Sequence, residues 1–302
     1  MAHSHGHHHE HVHELTSLNK SFIIGITLNI LFVLVEFGIG FYYDSLGLLS
    51  DAGHNLGDVA SLVLAMFAFR LAKVHPNSRY TYGYKKSTVL VSLLNAVILL
   101  VAVGIIIAES IDKLLHPVPV EGAAIAWTAG VGVIVNAVTA WLFMKDKEKD
   151  LNVKGAYLHM VADTLVSVGV VISGIIIMYT GWTLVDPTIG LVIAVIIVIS
   201  TWGLLHDSLR LSLDGVPVGI DSEKVGQIIL AQPGVESFHH LHIWALSTTE
   251  TALTAHIVIE NLRCMEEVKH AVKHQLEHVG IHHATLEFEY KGACCNGENC
   301  IS

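Results

Sequence analysis

Charge is scarce in this chain. Only 15% of its 302 residues are Asp, Glu, Lys or Arg, against 52% hydrophobic ones, and mean hydropathy is +0.57. That balance excludes an ordinary soluble domain of this size and marks a polytopic membrane protein. Basic residues are the scarcer sign: 17 Lys and Arg against 27 Asp and Glu give a formal net charge of −10 with histidine neutral, which argues against nucleic acid as a partner. Cysteine is limited to Cys264, Cys294, Cys295 and Cys300; on the reducing, cytosolic side where they are placed below, disulfides are not expected. No His-Glu-x-x-His motif lies in the apolar stretches, which leaves an intramembrane metalloenzyme without its ligands and general base. The chain opens on a polar histidine tract instead of a basic segment followed by an apolar core, so no cleavable leader is expected.

What the chain has in quantity is apolar runs. Six reach the roughly 20 residues that span a bilayer: approximately Ser21 to Tyr42, Leu46 to Leu71, Lys86 to Leu114, Val120 to Met144, Leu151 to Thr180 and Asp186 to Leu211. The longer ones are expected to tilt or to project beyond the bilayer. Short cytoplasmic loops carry the positive excess in such proteins. Arg70, Lys73, Arg79, Lys85 and Lys86 cluster between the second and third runs, and Lys145, Lys147, Lys149 and Lys154 between the fourth and fifth, whereas the opposite loops hold Lys113 alone. Those two loops and both termini are therefore expected in the cytosol. Short external loops fit a bacterial inner membrane, with an intracellular vesicle as the alternative host.

Ionisable residues inside two of these runs need a reason. His54 with Asp58 and His159 with Asp163 repeat one His-x-x-x-Asp spacing. Positions i and i+4 share a helix face, so each pair presents an imidazole and a carboxylate the same way. One aspartate at the centre of a membrane helix costs roughly 2.5 to 3.5 kcal/mol on insertion scales. A divalent cation between two carboxylates and two neutral imidazoles makes a site of zero net charge, and four N/O ligands suit tetrahedral zinc. The competing reading is a pair of structural His/Asp hydrogen bonds between helices. Proton coupling follows from the same residues, because metal ligands must be deprotonated. Acid on the release side then weakens binding by about 1.4 kcal/mol per linked proton for each pH unit.

After Leu213 the character changes to that of a small soluble domain. Ser222 to Gln232 reads as helix, Pro233-Gly234 as a turn, Val235 to Leu246 and Glu250 to Glu260 as strands, Cys264 to His278 as helix and Ala284 to Tyr290 as a last strand. Two helices on one face of a small sheet would bury the apolar sides of all five elements. A domain this small gains from dimerisation. The expected organisation is a His-rich cytosolic tail at 1–19, an α-helical membrane domain of six transmembrane helices at 20–212, a small α+β cytosolic domain at 213–291 and a Cys-containing tail at 292–302.

Ser50-Asp51-Ala52-Gly53-His54 leading to Asp58, Tyr157-Leu158-His159 leading to Asp163, Tyr82-Gly83-Tyr84 after a basic loop, Asp186-Pro187 opening the last run, and His239-His240-Leu241-His242-Ile243-Trp244 together resemble the cation diffusion facilitator family, in its zinc-exporting branch. The likeness covers nearly the whole chain. It implies a homodimeric antiporter, not an enzyme, that moves Zn²⁺ out of the cytosol against inward proton flow, with a ferredoxin-like cytosolic domain. It implies a transport site at His54, Asp58, His159 and Asp163. It further implies regulatory zinc at His239, His256 and Glu289, with His282 as an additional candidate; His240, His242 and His283 compete, since a one-residue slip along a strand reverses its face. The His/Asp make-up resembles zinc-preferring members. A broader Cd²⁺, Co²⁺ or Ni²⁺ efflux transporter, or a membrane-bound metal sensor, is the alternative. Only His75 stands where other branches place a loop site, and none is assigned there.

Other metal-capable residues flank these. His3, His5, His7, His8, His9, His11 and His13 favour loose multidentate metal capture over a fixed site, against the competing reading of an appended tag. Cys294, Cys295 and Cys300 offer soft thiolates in a tail. Asp51 either attracts cations at the outer mouth or caps a helix. Asn29, Glu36, Asn95, Glu109 and Asn136 either line a hydrated cavity or hydrogen-bond between helices. His270, His274 and His278 recur at every fourth residue, as a metal stripe or a solvated face.

Overall fold

Six long helices occupy the six apolar runs: α1 (Glu10–Tyr42), α2 (Leu46–Ala72), α3 (Ser87–Leu115), α4 (Gly122–Met144), α5 (Leu151–Thr180) and α6 (Val185–Ser212). The computed structural model describes residues 10–42, 46–116, 122–182 and 184–290, without the side chains of 10–19, 40–41, 46–54, 57–58, 122–129, 170, 173–174, 186 and 262. Among the described residues, three helical stretches are long and apolar enough to cross a membrane, Lys20–Ile39, Ser87–Leu115 and Pro187–Ser212, and Val59–Ala72 and Gly130–Met144 are shorter apolar helices. Helix α1 is already formed at Glu10, the first described residue, well before the apolar run. No Gly or Pro interrupts residues 10–20, so a helix nucleated in the apolar segment propagates into them at little cost.

The chain divides into two compact units, Met1–Leu71 with Leu90–Leu205, and Ala72–Val89 with His206–Ser302. In the first, α5 holds the centre. Val153 and Ala156 of α5 pack with Phe22, Ile26, Leu62, Phe69 and Phe143 of α1, α2 and α4. Nearly two turns further on, Ala162 packs with Leu99, Val103, Ile193 and Ile197 of α3 and α6. Local signals set the ends of α5. Asp150, in extended conformation, caps the start by accepting from the Asn152 and Val153 amides at 2.7 and 3.2 Å, and Gly181, at φ 69°, ends it with its N–H on the Ile177 carbonyl.

The second unit contains α7 (Ser222–Leu230), β1 (Val235–Ala245), β2 (Thr251–Ile259), a 3₁₀ turn at Leu262–Cys264, α8 (Met265–His278) and β3 (Ile281–Tyr290). The sheet order is β1-β2-β3, with β1 antiparallel and β3 parallel to the central β2. Val225 and Ile229 of α7 and Val268, Val272 and Leu276 of α8 bury Leu253, Ala255, Ile257 and Ile259, the odd positions of β2. The even positions, His256 among them, lie on the opposite face by strand alternation. Strand β3 begins at Ile281, earlier than Ala284, because Gly280 at φ 83° stops α8 and Ile281 drops straight into the core.

Candidate metal centres

His159 and Asp163 stand one turn apart on α5, their side chains 9% and 11% exposed, with Nε2 of the imidazole 3.9 Å from Oδ2 of the carboxylate. Tetrahedral Zn²⁺ with bonds of about 2.0 Å would hold such atoms roughly 3.3 Å apart, so the pair needs only a small inward rotation to share one ion. A cavity beside His159 is lined by Ser61 and Leu62 of α2, Asn95 of α3, and Gly155, Ala156 and His159 of α5. Positions 54, 58 and 61 fall on one face of α2 by helical period. His54, Asp58 and Asp51 lie in α2, but their side chains are outside those described. Their neighbour Asn55 is buried and donates from Nδ2 to Oε2 of Glu36 on α1 at 2.7 Å.

A second group forms on the open face of the sheet. His239, His256 and Glu289, all half-buried, bring one ligand atom each to within 4.8 Å of one another. His256 Nδ1 lies 2.8 Å and His239 Nε2 3.5 Å from the same carboxylate oxygen of Glu289. A bulge makes this possible. His239 pairs with His256 and His242 with Thr254, so two residues of β1 oppose one of β2, and His240 takes φ 49° to absorb the extra residue. The rings of His239 and His240 both stay about 5 Å from that of His256. Glu287, which the sequence did not single out, places Oε2 3.3 Å from His256 Nε2; its signal was the period of two that puts it on the face of Glu289. His282 does not join them. It sits where the β2/β3 register steps from Ile281 to His283, on the other parity from Glu289.

The family model for the cation efflux transmembrane domain matches residues 22–211, and that for the cation efflux protein cytoplasmic domain matches residues 217–290. This chain belongs to the cation efflux family. Among the relatives of this cation efflux protein, the zinc transporter ZitB of Escherichia coli is 35% identical, across 99% of this chain and 96% of that one. A cadmium, cobalt and zinc/H(+)-K(+) antiporter of Bacillus subtilis is 34% identical over 89% and 88%, and the metal cation efflux system protein CzcD of Cupriavidus metallidurans is 36% identical over 89% and 86%. The solved metal-bound C-terminal domain of that CzcD transporter is 42% identical over 23% of this chain and 99% of its own, with a TM-score of 0.22. The family is one of membrane transporters, so this cation efflux protein is a membrane protein with a transmembrane and a cytoplasmic domain.

The remaining candidates of this cation efflux protein are dispersed. His3, His5, His7, His8, His9, Cys294, Cys295 and Cys300 lie outside the described residues, and His11 and His13 fall in α1 with side chains that are not described. On α8 the rings of His274 and His278 are 4.7 Å apart, edge to face, and His270 Nε2 is 4.0 Å from Glu266 Oε2. Glu266 is held below the usual carboxylate range, chiefly by the hydrogen bond from Lys269 at 2.7 Å. His75 is exposed in the α2–α3 loop.

Proposed function

We propose that this protein exports divalent metal, with Zn²⁺ as the main cargo, from the cytosol in exchange for protons, through a tetrahedral site formed by His54, Asp58, His159 and Asp163. The observation that carries the reading is the buried His159/Asp163 pair on α5: a carboxylate and an imidazole placed one turn apart inside a transport domain accept either a cation or protons, and binding one expels the other. Alternating access then converts an inward proton gradient into outward metal flow. The names of the relatives, a zinc transporter and a zinc/H(+)-K(+) antiporter, support both the cargo and the coupling.

In this reading α1–α6 are six membrane spans, both termini are cytosolic and the host is a bacterial inner membrane. The cytoplasmic domain is ferredoxin-like and holds a homodimer, His239, His256 and Glu289 take a regulatory zinc, and the terminal histidines and Cys294, Cys295 and Cys300 collect metal. Efflux of Cd²⁺ and Co²⁺ beside Zn²⁺ is a second reading, favoured by the cadmium and cobalt in the name of the Bacillus subtilis relative.

Zinc flux into proteoliposomes under a set pH gradient tests the proposal, with Asp163→Ala as the comparison and its folding checked by gel filtration. Gradient-driven flux that collapses with a proton ionophore and in Asp163→Ala is the expected result. Equal flux in both proteins, or flux indifferent to the ionophore, would overturn it.

A further inference from the structure

We infer that Asn95 of α3 is a positioning residue for the metal-binding imidazole of His159: through one water in the small cavity between them, its side-chain carbonyl accepts the hydrogen bond of the ring nitrogen that does not bind metal. The inference rests on the transport-site reading above.

Three observations converge on it. Asn95 is only 9% exposed, and its Oδ1 has no hydrogen-bond partner among the described residues. A buried amide oxygen left so costs about 1–3 kcal/mol, and such a group in a native fold calls for an explanation. The second observation is what Asn95 faces. An ideal Cβ built on Gly155 would lie 4.0 Å from Cβ of Asn95 and 3.4 Å from Cδ2 of Leu204, ordinary van der Waals distances that put Asn95 of α3 against α5 at position 155. Position 155 is one turn before His159, and a helical side chain leans back over the turn N-terminal to its own Cα. Asn95 and the His159 ring are thus brought over the same patch of α5. The third is the space between them. Asn95, His159 and Ser61 line one cavity of about 10 Å³, room for about one water and no more.

The direction of His159 decides the role of the amide. Nε2 is the atom turned to Asp163 Oδ2, so metal shared by this pair engages Nε2 and leaves Nδ1 protonated. Metal-bound histidines nearly always donate their second ring N–H to an acceptor, which fixes tautomer and ring orientation. Asn95 supplies a neutral acceptor. A carboxylate there would add a third negative charge to a site that two aspartates already balance against M²⁺, and would hold protons and metal more tightly than a transporter needs.

Two near-isosteric substitutions separate polarity from packing. Zinc KM and kcat are measured in proteoliposomes for Asn95→Leu and Asn95→Asp, and zinc affinity is measured in parallel by calorimetry on the full-length protein. The expected result is a KM and Kd for Asn95→Leu raised about 10- to 100-fold, the usual range for loss of such a partner, with kcat changed much less. Asn95→Asp, which keeps the acceptor, restores Kd to wild type or tighter. Equal Kd in all three proteins, or equal weakening by both substitutions, overturns the inference. Loss of flux in Asp163→Ala with unaltered Kd and KM in Asn95→Leu defeats this inference alone. Intact flux in Asp163→Ala defeats the transport-site reading beneath it.

Discussion

Lys86, immediately before α3, places Nζ 2.6 Å from Oδ1 of Asp214, just past the end of α6. The same ammonium donates to the carbonyls of Leu211 at 2.8 Å and Ala245 at 3.1 Å. Asp214 has φ 57°, and the Gly215 amide closes on the Arg210 carbonyl at 2.8 Å, a Schellman ending in which an aspartate replaces the usual glycine. Lys86 thus fastens the end of α6 and the end of β1 at a single point. The Lys85–Glu250 ion pair and the Thr248 amide on Thr88 Oγ1 flank it.

The two partners are expected to differ in weight. The ion pair is partly exposed, at 37% and 67%, and such pairs contribute about 0.2–1 kcal/mol. The carbonyl bonds are lost only when the ammonium goes. Lys86→Met is therefore expected to lower stability by about 1–2 kcal/mol, and Asp214→Asn, which tolerates positive φ, by about 0.5 kcal/mol. Thermal unfolding of the purified protein reads both; an Asp214→Asn effect larger than that of Lys86→Met would refute the assignment.

Gly226 lies in α7 where an added Cβ would sit 2.6 Å from Cζ of Phe238, a ring packed on the core of the cytoplasmic domain. Alanine would gain about 1 kcal/mol of helix propensity. Overpacking costs about 1–3 kcal/mol, so Gly226→Ala should destabilise by about 1 kcal/mol. Adding Phe238→Leu should recover part of that loss, a coupling that a double-mutant cycle measures directly. Simple additivity would show that the ring moves aside freely.

Parts of this structure are local and were legible as such. The run Leu151 to Thr180 coincides with α5 because Asp150 and Gly181 are ordinary start and stop residues, and His159 and Asp163 then meet by helical period alone. Other parts depend on pairings between distant residues. The bulge at His240 follows from the register of β1 on β2, which no local pattern carries, and the register step beside Ile281 removes His282 from the group that Glu289 joins. The helical stretch of α1 before Ser21 gives no boundary signal, because its polar residues contain no breaker. Asn95 stood among several polar residues of the helices; its place on the cavity beside His159 distinguishes it.

Asn29 on α1 is fully buried and donates to the Gly25 carbonyl at 2.9 Å, to Thr139 Oγ1 of α4 at 3.3 Å and to Met160 Sδ of α5 at 3.9 Å. It joins three helices next to His159. Interhelical hydrogen bonds within membranes average about 0.6 kcal/mol and reach about 1.7, so Asn29→Leu should cost about 1 kcal/mol. Thr139→Val should cost less than Asn29→Leu, because Asn29 keeps its bond to Gly25. Unfolding of the reconstituted protein by denaturant orders the two, and a larger effect at Thr139 would contradict this ranking.

His256 is expected to control a metal site separate from transport. Its Nδ1 and Nε2 face Glu289 and Glu287 at 2.8 and 3.3 Å, and Glu289 also meets His239, so zinc must displace an existing His/Glu hydrogen bond to bind. Zinc ligation needs deprotonated imidazoles, and binding therefore weakens as pH falls. Equilibrium dialysis of the full-length protein should find one zinc per protomer fewer in His256→Ala than in wild type, and a further one lost when Asp163→Ala is added. If His256→Ala leaves the bound zinc unchanged, the cluster is a hydrogen-bonded prop for the bulged end of β1, and its removal would then appear as lower stability alone.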